Sequence, residues 1–116
     1  MKSETIRLVE YYENGNVHFE EYHINGKLHR EDGPAWIMYY KNGNVRCERY
    51  YIHNNLHRQD KPADIEYNEN GKIEVERYFI NGTFHRDNGP AIVEYYKNGN
   101  VKFEEYYING NTHREN

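Results

Sequence analysis

Four copies of His-Arg stand at a fixed 28-residue spacing, at His29-Arg30, His57-Arg58, His85-Arg86 and His113-Arg114. Stepping by that interval aligns nearly the whole chain, which divides into units 3–30, 31–58, 59–86 and 87–114. Recurrence at such a period marks a stacked array in which each unit buries its face only against its neighbours. The units follow one another without a linker or a change of composition, so the 116 residues read as a single repeat domain, 1–116.

Within a unit, turn signals alternate with strand-forming runs. In the last unit, β-branched and aromatic residues fill 91–96, Asn98-Gly99 follows, a second run covers 101–108, and Asn109-Gly110 closes it. Asn-Gly between such runs is a strong hairpin signal because both residues tolerate positive φ. The first turn recurs as Asn14-Gly15, Asn42-Gly43 and Asn70-Gly71; the second recurs as Asn25-Gly26, His53-Asn54 and Asn81-Gly82. Asn54 replaces glycine where left-handed backbone is required, as asparagine can. No stretch has a helical period, and the expectation is an all-β array of antiparallel hairpins forming an elongated twisted single sheet of four 28-residue units.

Column comparison assigns the faces. Ala35, Ile37 and Tyr39 belong to columns more uniform than those of Trp36, Met38 and Tyr40, which places the former on the packed face. The second strand's apolar pattern changes phase between Phe103 and Tyr106, which predicts a bulge or a twist near Glu104 and Glu105. Thirteen tyrosines supply much of the packing surface, and the columns of Tyr11, Tyr39, Tyr67 and Tyr95 and of Tyr22, Tyr50, Tyr78 and Tyr106 are expected to stack between units. The segment His-Arg-x-x-Gly-Pro, with Lys61 in place of the glycine before Pro62, reads as the corner joining one unit to the next, since only the first unit, with Thr5-Ile6-Arg7, lacks its proline; that absence is expected to mark the N-terminal end of the array.

The repeated histidines invite a metal or catalytic reading, and distance rejects it. If each unit adds two strands at about 4.8 Å, equivalent histidines lie about 9.5 Å apart, against metal–ligand bonds of about 2.1 Å. They are read instead as a structural ladder with Arg30, Arg58, Arg86 and Arg114, whose expected partners are Glu20, Glu48, Glu76 and Glu104 through paired hydrogen bonds, with a ladder that faces a ligand as the second reading. The single serine, Ser3, is near the chain start, neighbouring acids such as Glu20-Glu21 point to opposite faces, and no phosphate-binding loop or Cys/His cluster occurs. No enzyme, cofactor or metal function is expected. Cys47 occupies the column of Phe19, Val75 and Phe103 and reads as a small buried hydrophobe.

A net charge of −4 argues against general attraction to nucleic acid or anionic membranes, and there is no apolar run near the roughly 20 residues that a helical membrane span needs. A soluble, cytoplasmic protein is expected. A platform of tyrosines flanked by arginine and lysine for single-stranded nucleic acid is the weaker reading, disfavoured by charge.

The pattern Tyr-x-x-Asn-Gly-Asn-Val, then Glu-x-Tyr-Tyr-Ile-Asn-Gly, then Leu-His-Arg-x-x-Gly-Pro-Ala resembles the degenerate bacterial and large-virus branch of MORN-type repeats, over essentially the whole chain. MORN units of the commoner kind are shorter and carry a Gly-x-Gly step that is missing here. The resemblance implies a scaffold or protein-binding module, with antitoxin-labelled relatives and an inhibitor of a toxin or defence nuclease as the finer reading. The alternative is an architectural protein that self-associates through its sheet edges. Residues where outward columns break pattern, Trp36, Met38, Arg46 and His53, are the candidate partner-binding positions.

Overall fold

The computed structural model describes residues 4–113 as a slab with extents of 47 × 40 × 17 Å. The short dimension accommodates one sheet with its side chains, as stacked sheets alone sit about 10 Å apart. Unit one supplies β1 (Thr5–Tyr11), β2 (Val17–Ile24) and β3 (Lys27–Leu28); unit two supplies β4 (Trp36–Tyr39), β5 (Val45–Arg49), β6 (Tyr51–Ile52) and β7 (Asn55–Leu56). Unit three gives β8 (Asp64–Tyr67), β9 (Ile73–Arg77), β10 (Phe79–Ile80) and β11 (Thr83–Phe84). The last gives β12 (Ile92–Tyr95), β13 (Val101–Glu105), β14 (Tyr107–Ile108) and β15 (Asn111–Thr112). No helix occurs among the described residues, and the all-β repeat array read from the sequence is the architecture found.

The principal sheet is an antiparallel meander in the order β1-β2-β4-β5-β8-β9-β12-β13, with β3 added on β2. Later units depart from it partway: each second strand leaves the sheet at Tyr50, Tyr78 or Tyr106, and the chain folds back into a two-stranded hairpin, β6–β7, β10–β11 or β14–β15. These small hairpins are tied into their own row. The Asn54, Gly82 and Gly110 amides donate to the carbonyls of Leu28, Leu56 and Phe84 one unit earlier. Phe79, Phe84 and Tyr107 stack along the row, with ring centres 4.4 and 4.9 Å apart.

Register explains the burial. Opposed residues place Val9, Glu20, Ile37, Glu48, Ile65, Glu76, Val93 and Glu104 in one row across the sheet. Ala35, Ala63 and Ala91 are fully buried on this face and Ile37, Ile65 and Val93 nearly so, which matches the packed face read from the columns.

The bulge lies elsewhere than expected. Tyr95 opposes Val101 and Glu94 opposes Phe103, so Lys102 is the extra residue, and His18, Arg46 and Glu74 are its counterparts. The bulge therefore precedes Glu104 and Glu105, and it puts Val101 and Phe103 on opposite faces despite their i, i+2 spacing. At the second turns, Asn25, His53, Asn81 and Asn109 all adopt positive φ, and Asn54 does so at 68° where other units carry glycine. Asn54 adds a bond that glycine cannot make, its Oδ1 accepting from the Leu28 amide at 2.7 Å.

Candidate partner-binding face

The repeated ladder forms the framework on which any binding surface must sit. Each corner arginine lies over a tyrosine of its own unit, with Cζ 3.9 Å from the Tyr22 ring centre for Arg30, 3.9 Å from Tyr50 for Arg58 and 4.0 Å from Tyr78 for Arg86. Its Nη1 also donates to the carbonyl of the corner proline, Pro34, Pro62 or Pro90. This arrangement overturns two expectations. Arg30, Arg58 and Arg86, the described ones, meet the proline carbonyls and not the glutamate column, and the Tyr22, Tyr50 and Tyr78 rings meet guanidinium rather than one another.

The glutamates are held by phenols. Tyr39, Tyr67 and Tyr95 donate to Glu20, Glu48 and Glu76 respectively, always from the following unit. Glu20 also accepts from Arg7, which stands where later units carry the buried alanine. Burial pushes the Glu20 carboxyl up, but the bonds from Tyr39 and Arg7 outweigh it and hold the group below its ordinary value. Glu104 is exposed on the last strand of the sheet.

The histidines clamp neighbouring units. Nδ1 of His29, His57 and His85 accepts the backbone N–H of His53, Asn81 and Asn109, at 3.0, 3.0 and 2.9 Å. The donor is thus the second turn of the next unit, not a member of the Glu20 column. His113 donates its amide to the Tyr106 carbonyl, and Arg114 lies outside the described residues.

Where the ladder occupies one face, the other carries residues that differ from unit to unit. Trp36, Met38 and Arg46 come together around one open pocket of about 350 Å³, whose wall also includes Tyr40, Arg49 and Glu74. Arg46 reaches it because it is the bulge residue of β5, with its guanidinium 5.6 Å from the Tyr40 ring centre. His53 is not part of this pocket. It sits at the tip of the β6–β7 turn with φ 47°, its ring 4.4 Å from that of His29.

Beside the pocket lies an ionic cluster that column reading passed over. Asp64, only 5% exposed, takes Arg77 at 3.0 Å and Arg49 at 3.5 Å, and Arg77 also reaches Glu66 at 2.6 Å. Arg49 extends to the Trp36 ring, 4.7 Å from its centre. The signal was available: Asp64 stands in the column of Trp36 and Ile92, and Arg49 and Arg77 stand in that of Glu21 and Glu105. The Cys47 thiol donates to Asp64 at 3.6 Å, and burial together with that carboxylate raises it to about 12, which keeps it protonated and a poor nucleophile. Among the described residues no group of three or more His, Cys, Asp or Glu side chains is placed to hold a metal ion.

The MORN repeat variant family matches the chain over residues 6–25, 35–53, 65–81 and 92–109, one segment in each unit and each stopping short of the His-Arg corner. No curated protein and no solved structure matches it.

Proposed function

The chain belongs to the MORN repeat variant family, and from that premise we propose that it is a non-catalytic protein-binding module whose contact surface is the Trp36 face of the sheet. Repeats of this family act as protein- and membrane-interaction modules. The observation that carries the reading here is the convergence of Trp36, Met38 and Arg46 on one pocket, on the face that the ladder leaves free to vary. An aromatic and an arginine anchor beside a charged rim is the composition that interface centres favour. The finer form of the proposal is an inhibitor that covers the basic surface of a toxin or nuclease, in keeping with the net charge of −4. Single-stranded nucleic acid is the poorer fit, because the Tyr22, Tyr50 and Tyr78 rings that would stack on bases already carry guanidiniums.

The test is a comparative affinity capture from cells that express the chain, using wild type, a Trp36→Ala/Arg46→Glu double variant and His53→Ala. A protein retained by wild type and His53→Ala but lost by the double variant supports the assignment. Equal recovery by all three removes the Trp36 face from consideration.

A further inference from the structure

The apolar surface that this chain leaves exposed is concentrated at the two ends of its array. Of the seven large apolar or aromatic side chains that stand exposed among the described residues, Ile6, Leu8 and Tyr11 belong to β1, while Tyr96, Val101 and Phe103 belong to the β12–β13 hairpin; Ile73 is the exception. The outer edges of β1 and β13 have no strand beside them among the described residues. An unpaired strand edge with apolar flanks is a template for another strand.

We infer that the β13 edge of one copy receives the β1 edge of a second copy, in the register that already joins one unit to the next inside the chain. This surface is separate from the Trp36 pocket, and the inference does not rest on the function proposed above. Inside the chain Glu76 opposes Val93 and Val75 opposes Glu94. Carried one unit onward, Glu104 opposes Val9 of the second copy, Phe103 opposes its Glu10 and Glu105 opposes its Leu8.

Polar groups at the two ends match column by column as well. Tyr11 occupies the column whose phenols bind Glu20, Glu48 and Glu76, and the residue is 61% exposed, as is fitting for a donor whose carboxylate would be Glu104 of another copy. Tyr12 and Tyr40 donate across internal contacts to the carbonyls of Tyr39 and Tyr67. The amides of Asn14 and Asn16 donate to Lys41, and those of Asn42 and Asn44 to Glu69. Tyr96, Asn98 and Asn100 hold the same positions at the last hairpin, where the matching acceptors are the Tyr11 and Glu13 carbonyls of a second copy.

The contact between units three and four makes this informative. There the tyrosine is Asn68 and the second asparagine is Lys72, so that internal contact keeps Asn70 but lacks two of the three residues that make these links. The outer hairpin retains the full set. Two departures exist: Ile6 stands in the column of the corner proline, and Arg7 stands in the alanine column, where Glu20 of its own copy holds its guanidinium at 2.8 Å. The contact is heterologous and does not close on itself, so it builds chains rather than a sealed dimer.

Sedimentation of the chain at rising concentration tests this, with Leu8→Glu and Phe103→Glu as variants that set like charges opposite Glu105 and Glu10. The wild type is expected to form dimers and longer species, and each variant alone to associate about tenfold or more weakly. Mixed in equal amounts, the two variants share one intact contact and are expected to recover a one-to-one dimer and nothing longer. That recovery also shows that both variants are folded. A wild type that stays monomeric at millimolar concentration overturns the inference, as does either variant alone associating like wild type, or a mixture that stays monomeric.

Discussion

The ring Nδ1 of His57 accepts a hydrogen bond from the backbone N–H of Asn81, 24 residues further along the chain. The bond ties a corner of unit two to a left-handed turn of unit three, where Asn81 has φ 48°. His57→Ala is expected to lower stability by about 1 kcal/mol, the net worth of one such bond where water can replace the lost partner. Hydrogen exchange at the Asn81 amide should accelerate more than at amides in the centre of β8. Unchanged protection at Asn81 would show that the turn holds without the clamp.

The phenols of Tyr39, Tyr67 and Tyr95 predict a loss of stability in alkali. Burial and the hydrogen bond to Glu76 raise Tyr95 from 10.0 to about 12, and Tyr39 and Tyr67 are raised for the same reasons by burial and by Glu20 and Glu48. Above pH 10 the unfolded chain releases these protons while the folded chain retains them, so the unfolded state binds fewer and stability falls as pH rises. The contribution is fully present below pH 10 and is lost toward the folded values. Denaturant midpoints measured from pH 9 to pH 12 should fall, and Tyr95→Phe should make the decline shallower while lowering the midpoint at pH 8. An unchanged slope in that variant would place the alkaline sensitivity elsewhere.

Much of this fold is legible in the sequence because its determinants are local. Asn-Gly sets the turns through positive φ, and the uniform columns of Ala35, Ile37 and Tyr39 identify the buried face. What escaped are choices made between distant groups. Arg58 has both a glutamate column and a tyrosine ring within plausible reach, and only the corner's path brings it over Tyr50 and onto the Pro62 carbonyl. The bulge escaped because its residues, His18, Arg46, Glu74 and Lys102, vary as any outward position does. At the candidate site, Trp36, Met38 and Arg46 were visible as breaks in pattern. Asp64 breaks its column too, but a carboxylate in a strand looks solvent-facing until Arg49 and Arg77 on either side cover it.

The corner glycine is needed for space rather than for unusual φ. A methyl group at Gly89 would lie 2.9 Å from Cζ of Arg86, whose guanidinium is held between the Tyr78 ring and the Pro90 carbonyl. Gly89→Ala should therefore dislodge the arginine and cost about 1 kcal/mol, on the scale of a cation–π contact with its hydrogen bond. Adding Gly89→Ala to Arg86→Ala should cost less than it does in wild type, because the obstructing group is gone. Full additivity in thermal melts would refute that account. Unit three places Lys61 here and gives Asp60 a φ of 61°, a different backbone path to the same arginine–proline bond.

Asp64 ties the variable face together and shields Cys47. Removing it by Asp64→Ala leaves Arg49 with a partner lost and Arg77 dependent on Glu66 alone. Breaking a pair around a buried carboxylate costs about 3–5 kcal/mol when both partners are enclosed; both arginines are partly exposed here, so about 2 kcal/mol is expected. The same change removes one of the two main causes that raise the Cys47 thiol, burial being the other. Reaction of Cys47 with a water-soluble disulfide reagent at pH 8 should be slow in the native wild type, with a rate that rises with added denaturant as opening exposes it. In Asp64→Ala the reaction should be faster without denaturant, and in Arg46→Ala, which leaves the cluster intact, it should match wild type. Equal rates in wild type and Asp64→Ala would show that burial alone protects the thiol and that the carboxylate has no hold on it.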